Sequence, residues 1–217
     1  MNIDQARFNM VEQQIRPWEV LDQAVLDLLF TLRREEFVPP VYRGLAFADM
    51  EIPLGHGETM LSPKMEARIV QELKLKNTDK VLEVGTGSGY MTALMARLAK
   101  FVHSVEIVPE LFEFGSKNLR VHDLHNVLVE QGDGACGWAR HAPYDVIVLT
   151  GSTPVLAPEL LQQLSPGGRM FAVIGEAPVM KATLFTVSAQ GGASSVELLE
   201  TCIASLRNAP QPSHFVF

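Results

Sequence analysis

The chain has 217 residues, of which 47% are hydrophobic and 20% charged, and its formal net charge is −7. This composition suits one compact globular domain with a sizeable core, and the negative charge disfavours non-specific binding to nucleic acid. Two cysteines make no disulfide framework, no Cys/His cluster has zinc spacing, and no apolar run could span a membrane, so we expect a cytoplasmic protein without metal, membrane or nucleic-acid partners.

Helical periodicity characterises the beginning of the chain. Residues 4–15 and 20–36 are predicted to be helices separated by Pro17, and they belong to a predicted N-terminal helical extension over residues 1–40. The charged run 33–36 is interpreted as a solvated face of the second helix. Pro39 and Pro40 then begin a loop of about 20 residues, and a loop of that length inside a compact domain is usually functional or disordered.

Alternating helices and strands follow, and residues 41–217 are predicted to form one domain. Ser62 and Pro63 suit the N-cap and the first position of a helix. The predicted strands are 80–84, 101–108, 127–131, 145–150 and 169–175, and the predicted helices between them are 90–100, 109–122 and 156–164. This order predicts an α/β fold with a doubly wound, Rossmann-like, mostly parallel sheet and helices on both faces. Segments 182–189 and 195–206 flank Gly191 and Gly192, which predicts antiparallel C-terminal strands.

The most informative motif is a glycine-rich turn between a predicted buried strand and a predicted helix, an arrangement typical of nucleotide-type ligand sites. Dinucleotide enzymes favour G-x-G-x-x-G around a pyrophosphate, whereas this turn has the spacing G-x-G-x-G and is preceded by Glu83. A carboxylate there would repel a pyrophosphate but suits a cationic or ammonium-bearing ligand. The motif therefore predicts S-adenosylmethionine (SAM) as the cofactor. Glu83 either organises the turn or reaches the ligand's ammonium group through water. The candidate cofactor contacts of this motif are Glu83, Gly85, Thr86, Gly87, Ser88 and Gly89.

Further ligand contacts are predicted at the ends of the next two strands, where ligands of doubly wound sheets lie. Glu106, followed by Ile107 as a further candidate, is predicted to accept hydrogen bonds from both ribose hydroxyls, and the alternative is a solvated charge at the strand end. Asp133, between Gly132 and Gly134, is predicted to accept a hydrogen bond from the adenine amine, and the alternative is an ordinary Asp-Gly turn.

The end of the fourth predicted strand narrows the reaction type. Residues 151–154 lack the (Asp/Asn)-Pro-Pro-aromatic sequence that is common in enzymes methylating exocyclic amines. No cysteine stands there either, which disfavours a covalent carbon-methylating mechanism. Oxygen methylation is the simplest remaining reaction.

Seven segments of the chain together resemble the protein-L-isoaspartate O-methyltransferase family, across about residues 28 to 175. They are residues 34–39, 52–59, 82–90, 104–106, 132–134, 142–147 and 164–169. The resemblance implies SAM-dependent methylation of the misplaced carboxylate of isoaspartyl residues in damaged proteins, after which the ester closes to a succinimide that partly reverts to aspartate. It thus implies an isoaspartyl protein or peptide as partner. Because the nucleophile is already a carboxylate, catalysis would come mostly from alignment and burial.

The loop before the first domain helix departs from the family pattern. The family reads Gly-x-Thr-Ile-Ser-x-Pro, and its serine hydroxyl contacts the substrate carboxylate, whereas this chain has Leu61 at the serine position. Thr59 matches the family and Ser62 is adjacent, so their hydroxyls are the candidate catalytic groups. The alternatives are a loop-stabilising role for Thr59 and an N-cap role for Ser62, with its hydroxyl turned toward the helix amides. Three hypotheses therefore stay open: an isoaspartyl carboxyl methyltransferase, an O-methyltransferase with a small or apolar acceptor, and a non-catalytic SAM-binding module.

Overall fold

A computed structural model of the chain describes residues 2–212. Met1 of the predicted 1–40 extension and residues 213–217 of the predicted 41–217 domain lie outside the described residues. The α-helices are α1 (Ile3–Met10), α2 (Gln23–Thr31), α3 (Pro63–Leu73), α4 (Tyr90–Leu98), α5 (Pro109–Val121) and α6 (Pro158–Gln162). The strands are β1 (Ile52–Gly55), β2 (Glu58–Met60), β3 (Lys80–Val84), β4 (Phe101–Glu106), β5 (Val127–Gln131), β6 (Tyr144–Thr153), β7 (Leu164–Glu176), β8 (Val179–Val187) and β9 (Ala193–Thr201). No helix among these residues is long and apolar enough to cross a membrane.

A seven-stranded sheet with the order β5-β4-β3-β6-β7-β8-β9 organises the molecule. The strands from β5 to β7 pair in parallel, whereas β8 is antiparallel to β7 and β9 is antiparallel to β8. The chain order reverses between β3 and β6, because β3 is followed on one side by β4 and paired on the other with β6. Ligands of doubly wound sheets lie beside such a reversal, at the carboxyl ends of the strands.

Apolar residues on both faces of the sheet pack against helices, which confirms the predicted fold class. Val81 faces a cluster that includes Leu94 of α4, whereas its neighbour Leu82 faces a second cluster that includes Leu160 of α6. Successive strand residues point to opposite faces, so β3 is apolar on both sides. Met10 and Leu26 of the N-terminal helices belong to the first cluster, so these helices share a core with the sheet.

The second predicted helix is shorter than its periodicity suggested. The Asp22 side chain accepts a hydrogen bond from the Ala24 amide and so caps α2, which ends at Thr31. The charged run 33–36 is not a solvated helix face, because Arg34 and Glu35 are only 1% and 7% exposed. They lie in a 3-10 turn, which directs Arg34 into the protein. The interpretation was wrong because each buried charge has an oppositely charged partner inside the protein: Glu35 pairs with Arg7, and Arg34 pairs with Glu66.

The predicted 20-residue loop contains regular structure. A 3-10 helix occupies Pro40–Leu45, and β1 and β2 form a small antiparallel hairpin ahead of α3. The last predicted strand, 195–206, instead ends at Thr201, and the chain then turns back toward β6. There the Ser152 amide donates to the Ala204 carbonyl, and the Leu206 amide donates to the Ser152 carbonyl, both at 2.8 Å. The hairpin and this returning segment both lie at the end of the sheet where the parallel strands have their carboxyl ends.

Candidate functional site

A cavity with about 870 Å³ of empty space, part of it open to solvent, lies where the strand order reverses. Its walls comprise the turn after β3, the ends of β4 and β5, the end of β6, the β1–β2 hairpin and the returning C-terminal segment.

The glycine-rich turn needs glycine at its first position. Gly85, Gly87 and Gly89 have φ angles of +98°, +53° and +83°, a region that side-chain-bearing residues seldom adopt. A Cβ on Gly85 would lie 2.2 Å from Oγ1 of Thr150, which is hydrogen-bonded to the Gly85 carbonyl at 2.8 Å. Thr150 on β6 therefore occupies the space that a side chain at residue 85 would take. Gly85, Thr86, Gly87 and Ser88 line the cavity, and Gly89 serves as the N-cap of α4.

The Glu106 carboxylate stands at the end of β4 and holds the glycine-rich turn in place. Its Oε2 accepts a hydrogen bond from the Gly87 amide and its Oε1 accepts one from the Val108 amide, both at 2.9 Å. Glu106 is 4% exposed and lines the cavity. Each carboxylate oxygen has a further lone pair, so the group can still accept hydrogen bonds from two ligand hydroxyls.

Asp133 lies in the cavity wall after β5 and is joined to the returning C-terminal segment. Its Oδ1 accepts from the Ala135 amide at 3.0 Å, and its Oδ2 accepts from the Asn208 side-chain amide at 2.8 Å. A Cβ on Gly134 would lie 2.9 Å from the Val84 side chain, so this stretch packs closely on β3. Ile107, Gly132 and Gly134 also line the cavity.

Glu83 does not reach the cavity wall, and its position favours the role of organising the turn. It is 0% exposed, and its Oε2 accepts hydrogen bonds from the Thr92 hydroxyl and, at 2.6 Å, from the Ser104 hydroxyl. Ser104 is also 2.6 Å from the hydroxyl of Thr86 in the turn. Oε1 has no hydrogen-bond partner within residues 2–212. Burial raises the pKa of Glu83 to about 8, although the Ser104 and Thr92 hydroxyls oppose the shift.

This raised pKa predicts a pH-dependent stability. The folded-state pKa of Glu83, about 8, is above the ordinary carboxyl value of 4.5, so the folded protein retains a proton there that the unfolded chain releases. The Glu83 contribution to the free energy of unfolding is therefore complete below about pH 4.5 and is lost as the pH rises to 8. Relative to Glu83→Gln, the wild-type protein should lose about 2 kcal/mol or more between pH 5 and pH 8.

Urea unfolding of both proteins at several pH values measures this difference. Glu110→Gln serves as the matched control, because Glu110 is exposed on the first turn of α5. A constant difference between the wild-type protein and Glu83→Gln would contradict the assignment.

Residues 59–61 line one end of the cavity, which we call the acceptor end. The two hydroxyl groups predicted to be catalytic, those of Thr59 and Ser62, have different surroundings. Thr59 lines the cavity, and its hydroxyl donates to Glu51 at 2.8 Å. Leu61 lines the cavity and is 6% exposed. Ser62 is the N-cap of α3 by backbone conformation, but its side chain makes no capping hydrogen bond, so the predicted orientation toward the helix amides is wrong. Pro63 follows it without a backbone N–H, and the structure does not place Ser62 in the cavity wall.

A buried ion pair beside the acceptor end was not predicted from the sequence. The Arg34 guanidinium donates through Nε to Glu66 at 3.0 Å, through Nη1 to the Ala46 carbonyl at 2.9 Å and through Nη2 to the Leu61 carbonyl. Glu66 is 2% exposed and lines the cavity. Burial raises the pKa of Glu66 to about 7, although Arg34 opposes the shift. The sequence did contain a signal for this buried charge: Glu66 lies three residues before Ile69, and so on the apolar face of an amphipathic helix.

The returning C-terminal segment closes one side of the cavity, and no local pattern predicted it. Residues 204–207 line the cavity, and Arg207 binds Glu58 of the hairpin through an ion pair of 2.7 Å. Residue 207 is separated from residue 58 by 149 positions, so local periodicity carries no information about this contact.

The charges around the cavity fit a ligand that has no phosphate group. Among the described residues lining it, Glu58, Glu66, Glu106 and Asp133 are acidic, whereas the single basic residue, Arg207, is already paired with Glu58. Phosphate groups are normally bound by basic side chains or free backbone amides, and here the Gly87 amide is occupied by Glu106. SAM carries a sulfonium, an ammonium group and ribose hydroxyls, so the hydrogen-bond-accepting carboxylates of the wall suit it.

Comparison with known proteins agrees with these features. Residues 5–203 match the sequence profile of the family described as protein-L-isoaspartate(D-aspartate) O-methyltransferase. The chain is 45% identical over 160 residues to protein-L-isoaspartate O-methyltransferase 1 of Anaeromyxobacter sp. (strain Fw109-5), covering 73% of this chain and 76% of that protein. It is 42% identical over 194 residues to the protein-L-isoaspartate O-methyltransferase of Anaeromyxobacter dehalogenans (strain 2CP-C), covering 88% of this chain and 92% of that protein.

Solved structures show the same fold. A protein-L-isoaspartate O-methyltransferase superposes with a TM-score of 0.77 at 24% identity, covering 94% of this chain and 65% of that one. A putative family member from Plasmodium falciparum, in complex with S-adenosyl-L-homocysteine, superposes with a TM-score of 0.77 at 20% identity and covers 95% of this chain and 99% of that one.

Proposed function

Because this chain belongs to the protein-L-isoaspartate O-methyltransferase family, we propose that this methyltransferase acts on the carboxylate of isoaspartyl residues in damaged proteins, with SAM as methyl donor. The family match over residues 5–203 carries the proposal. The carboxylates in the cavity wall, whose single basic residue among those described is already paired with Glu58, support it independently.

The cofactor would extend along the strand ends from β5 toward β6. The Glu106 carboxylate would accept hydrogen bonds from the ribose hydroxyls, and Asp133 would accept one from the adenine amine. Both side chains line the cavity at the ends of adjacent strands, which supports this arrangement. The glycine-rich turn would let the ligand approach the backbone closely.

The protein's contribution to methyl transfer would be alignment and exclusion of water. When bound, SAM supplies an activated methyl carbon, which a carboxylate oxygen attacks as the carbon–sulfur bond breaks. Since the nucleophile is already ionised, no side chain has to remove a proton. Leu61 and Met60 line the acceptor end and would exclude water there. The Thr59 hydroxyl, which donates to Glu51, would have to redirect that hydrogen bond to the acceptor carboxylate in order to align it.

The leucine at the family's serine position predicts weak activity on isoaspartyl substrates. A leucine side chain cannot donate a hydrogen bond to the substrate carboxylate, and one missing bond of this kind costs about 1–3 kcal/mol. Leu61→Ser should therefore raise kcat/KM for an isoaspartyl peptide by about tenfold. Release of labelled methanol from the methyl ester measures the change, and Leu54→Ser, at another apolar position in the wall, is the matched control. An unchanged or lower kcat/KM for Leu61→Ser would argue against a serine-like role at this position.

A second acceptor class is favoured by the same leucine. Met60 and Leu61 make this end of the cavity apolar, which suits a small hydrophobic acceptor with a hydroxyl or carboxyl group. The deciding experiment compares SAM-dependent methyl transfer to an isoaspartyl peptide with transfer to its aspartyl counterpart. Methylation of the isoaspartyl peptide alone supports the proposal. SAM binding without methylation of either peptide favours another acceptor or a non-catalytic SAM-binding module.

We also propose a cytoplasmic location. Cys136 and Cys202 are both exposed free thiols, which persist in reducing compartments. The partner would be a damaged protein or peptide rather than a nucleic acid, in keeping with the net charge of −7.

A further inference from the structure

Within the cavity, the Glu66 carboxylate has a free oxygen atom that no contact in the protein explains. Its Oε2 is held by Arg34 at 3.0 Å, whereas its Oε1 has no hydrogen-bond partner in the described part of the chain. Glu66 is 2% exposed as a residue, but its Oε1 is not sealed off within the protein, because the side chain lines the cavity. A ligand in the cavity can therefore donate a hydrogen bond to this oxygen.

The direction of the ligand places its amino-acid portion near this oxygen. Under the proposed function, adenosine lies against Asp133 and Glu106, at the ends of β5 and β4. The rest of the ligand must then extend past β3 toward β6 and α3. Glu66 belongs to the first turn of α3, and its partner Arg34 lies over the ring of Tyr90, the first residue of α4 after the glycine-rich turn.

The other carboxylates near the cavity are already engaged or distant from this end. Glu106 and Asp133 accept hydrogen bonds on both oxygens and stand at the adenosine end. Glu58 is paired with Arg207 at the rim. Glu83, for which the glycine motif left open a water-mediated contact to the ammonium group, is buried beneath the turn and outside the wall.

We infer that Glu66 is the residue that binds the ammonium group of the methionine portion of SAM, with Arg34 fixing the orientation of its carboxylate. The ammonium group donates to Oε1 while Arg34 continues to donate to Oε2. The charges of Arg34 and Glu66 cancel before the ligand binds. The ammonium group of the ligand is therefore bound through its hydrogen bond to Oε1 of Glu66 rather than through a net negative charge. The inference rests on the proposed function, because it assumes SAM in this cavity.

A binding cycle between the residue and the ligand tests the inference without reference to activity. Calorimetry measures the affinity of the wild-type protein and Glu66→Gln for S-adenosylhomocysteine and for its desamino analogue, which lacks only the amino group. The wild-type protein should prefer S-adenosylhomocysteine by about tenfold or more, and Glu66→Gln should reduce this preference to below about threefold. Glu110→Gln, which changes an exposed carboxylate on the first turn of α5 outside the cavity wall, should retain the wild-type preference.

The possible outcomes separate the two claims. If the wild-type protein binds S-adenosylhomocysteine but shows no preference over the desamino analogue, or if Glu66→Gln retains the full preference, the assignment of Glu66 is overturned and SAM binding stands. If the wild-type protein binds neither compound, the proposed function fails and the inference fails with it. Should Glu66→Gln not fold, Glu66→Asp takes its place, because the shorter side chain withdraws the carboxylate from the amino group. Retention of the full preference by Glu66→Asp would equally overturn the assignment.

Discussion

Glu106→Ala should weaken SAM binding by about 100-fold or more. The substitution removes the acceptor of both proposed ribose hydrogen bonds, and each bond to a charged group contributes about 1.5–3 kcal/mol. It also removes the acceptor of the Gly87 amide, so the glycine-rich turn loses the contact that holds it at the end of β4. Both consequences reduce affinity, which makes this the largest expected effect on binding by any single side chain of the site.

Isothermal titration with S-adenosylhomocysteine and with adenosine measures the loss. Both ligands contain the ribose, so both affinities should fall together, unlike the selective change expected for Glu66→Gln. Glu110→Ala is the matched control, because Glu110 is exposed on α5 four positions later. A change of less than about threefold for Glu106→Ala would show that this carboxylate does not bind the sugar.

Gly85→Ala should lower the free energy of unfolding by about 3 kcal/mol and also reduce SAM affinity. Residue 85 has a φ angle of +98°, and holding a side-chain-bearing residue in such a conformation costs about 1–2 kcal/mol. In addition, the new methyl group would lie 2.2 Å from Thr150 Oγ1. Thr150 would have to turn away and give up its hydrogen bonds to the carbonyls of Val84 and Gly85.

Gly167→Ala separates the two contributions. Gly167 has a φ angle of +80°, but a Cβ there would meet no atom within 4 Å. Its substitution should therefore cost only the backbone strain of about 1–2 kcal/mol and leave SAM binding unchanged. Chemical unfolding measures the free energy of unfolding of the two variants, and calorimetry measures their affinity for SAM. Equal losses of stability would indicate that Thr150 does not restrict residue 85.

The hydrophobic pattern of the chain was sufficient to predict the central sheet. The predicted strands 80–84 and 127–131 coincide with β3 and β5, and the Ser62-Pro63 pair correctly marks the start of α3. These elements are specified by residues that are close in sequence: alternating or continuous apolar positions and a helix-starting proline. The glycine-rich turn belongs to the same class, since its spacing is a local property of the chain.

Electrostatic pairing within the fold was not predictable in this way. The run 33–36 has the composition of a solvated helix face, yet Arg34 is buried because its partners are Glu66 and the carbonyls of Ala46 and Leu61. The same applies to Glu83 and Glu66. The glycine motif left open whether Glu83 organises the turn or reaches the ligand's ammonium group through water; the fold buries it under the turn and brings Glu66 to the cavity wall.

The sequence by itself determined the order of the helices and strands from α3 onwards, the glycine-rich turn and the carboxylates at the ends of β4 and β5, because each depends on neighbouring residues. Only the tertiary structure decided which charged groups face the cavity and which segment closes it. The ion pair between residues 34 and 66 and the contact between residues 58 and 207 join distant parts of the chain. Such contacts form only once the sheet has brought the segments together, so their energies leave no periodic signal in the sequence.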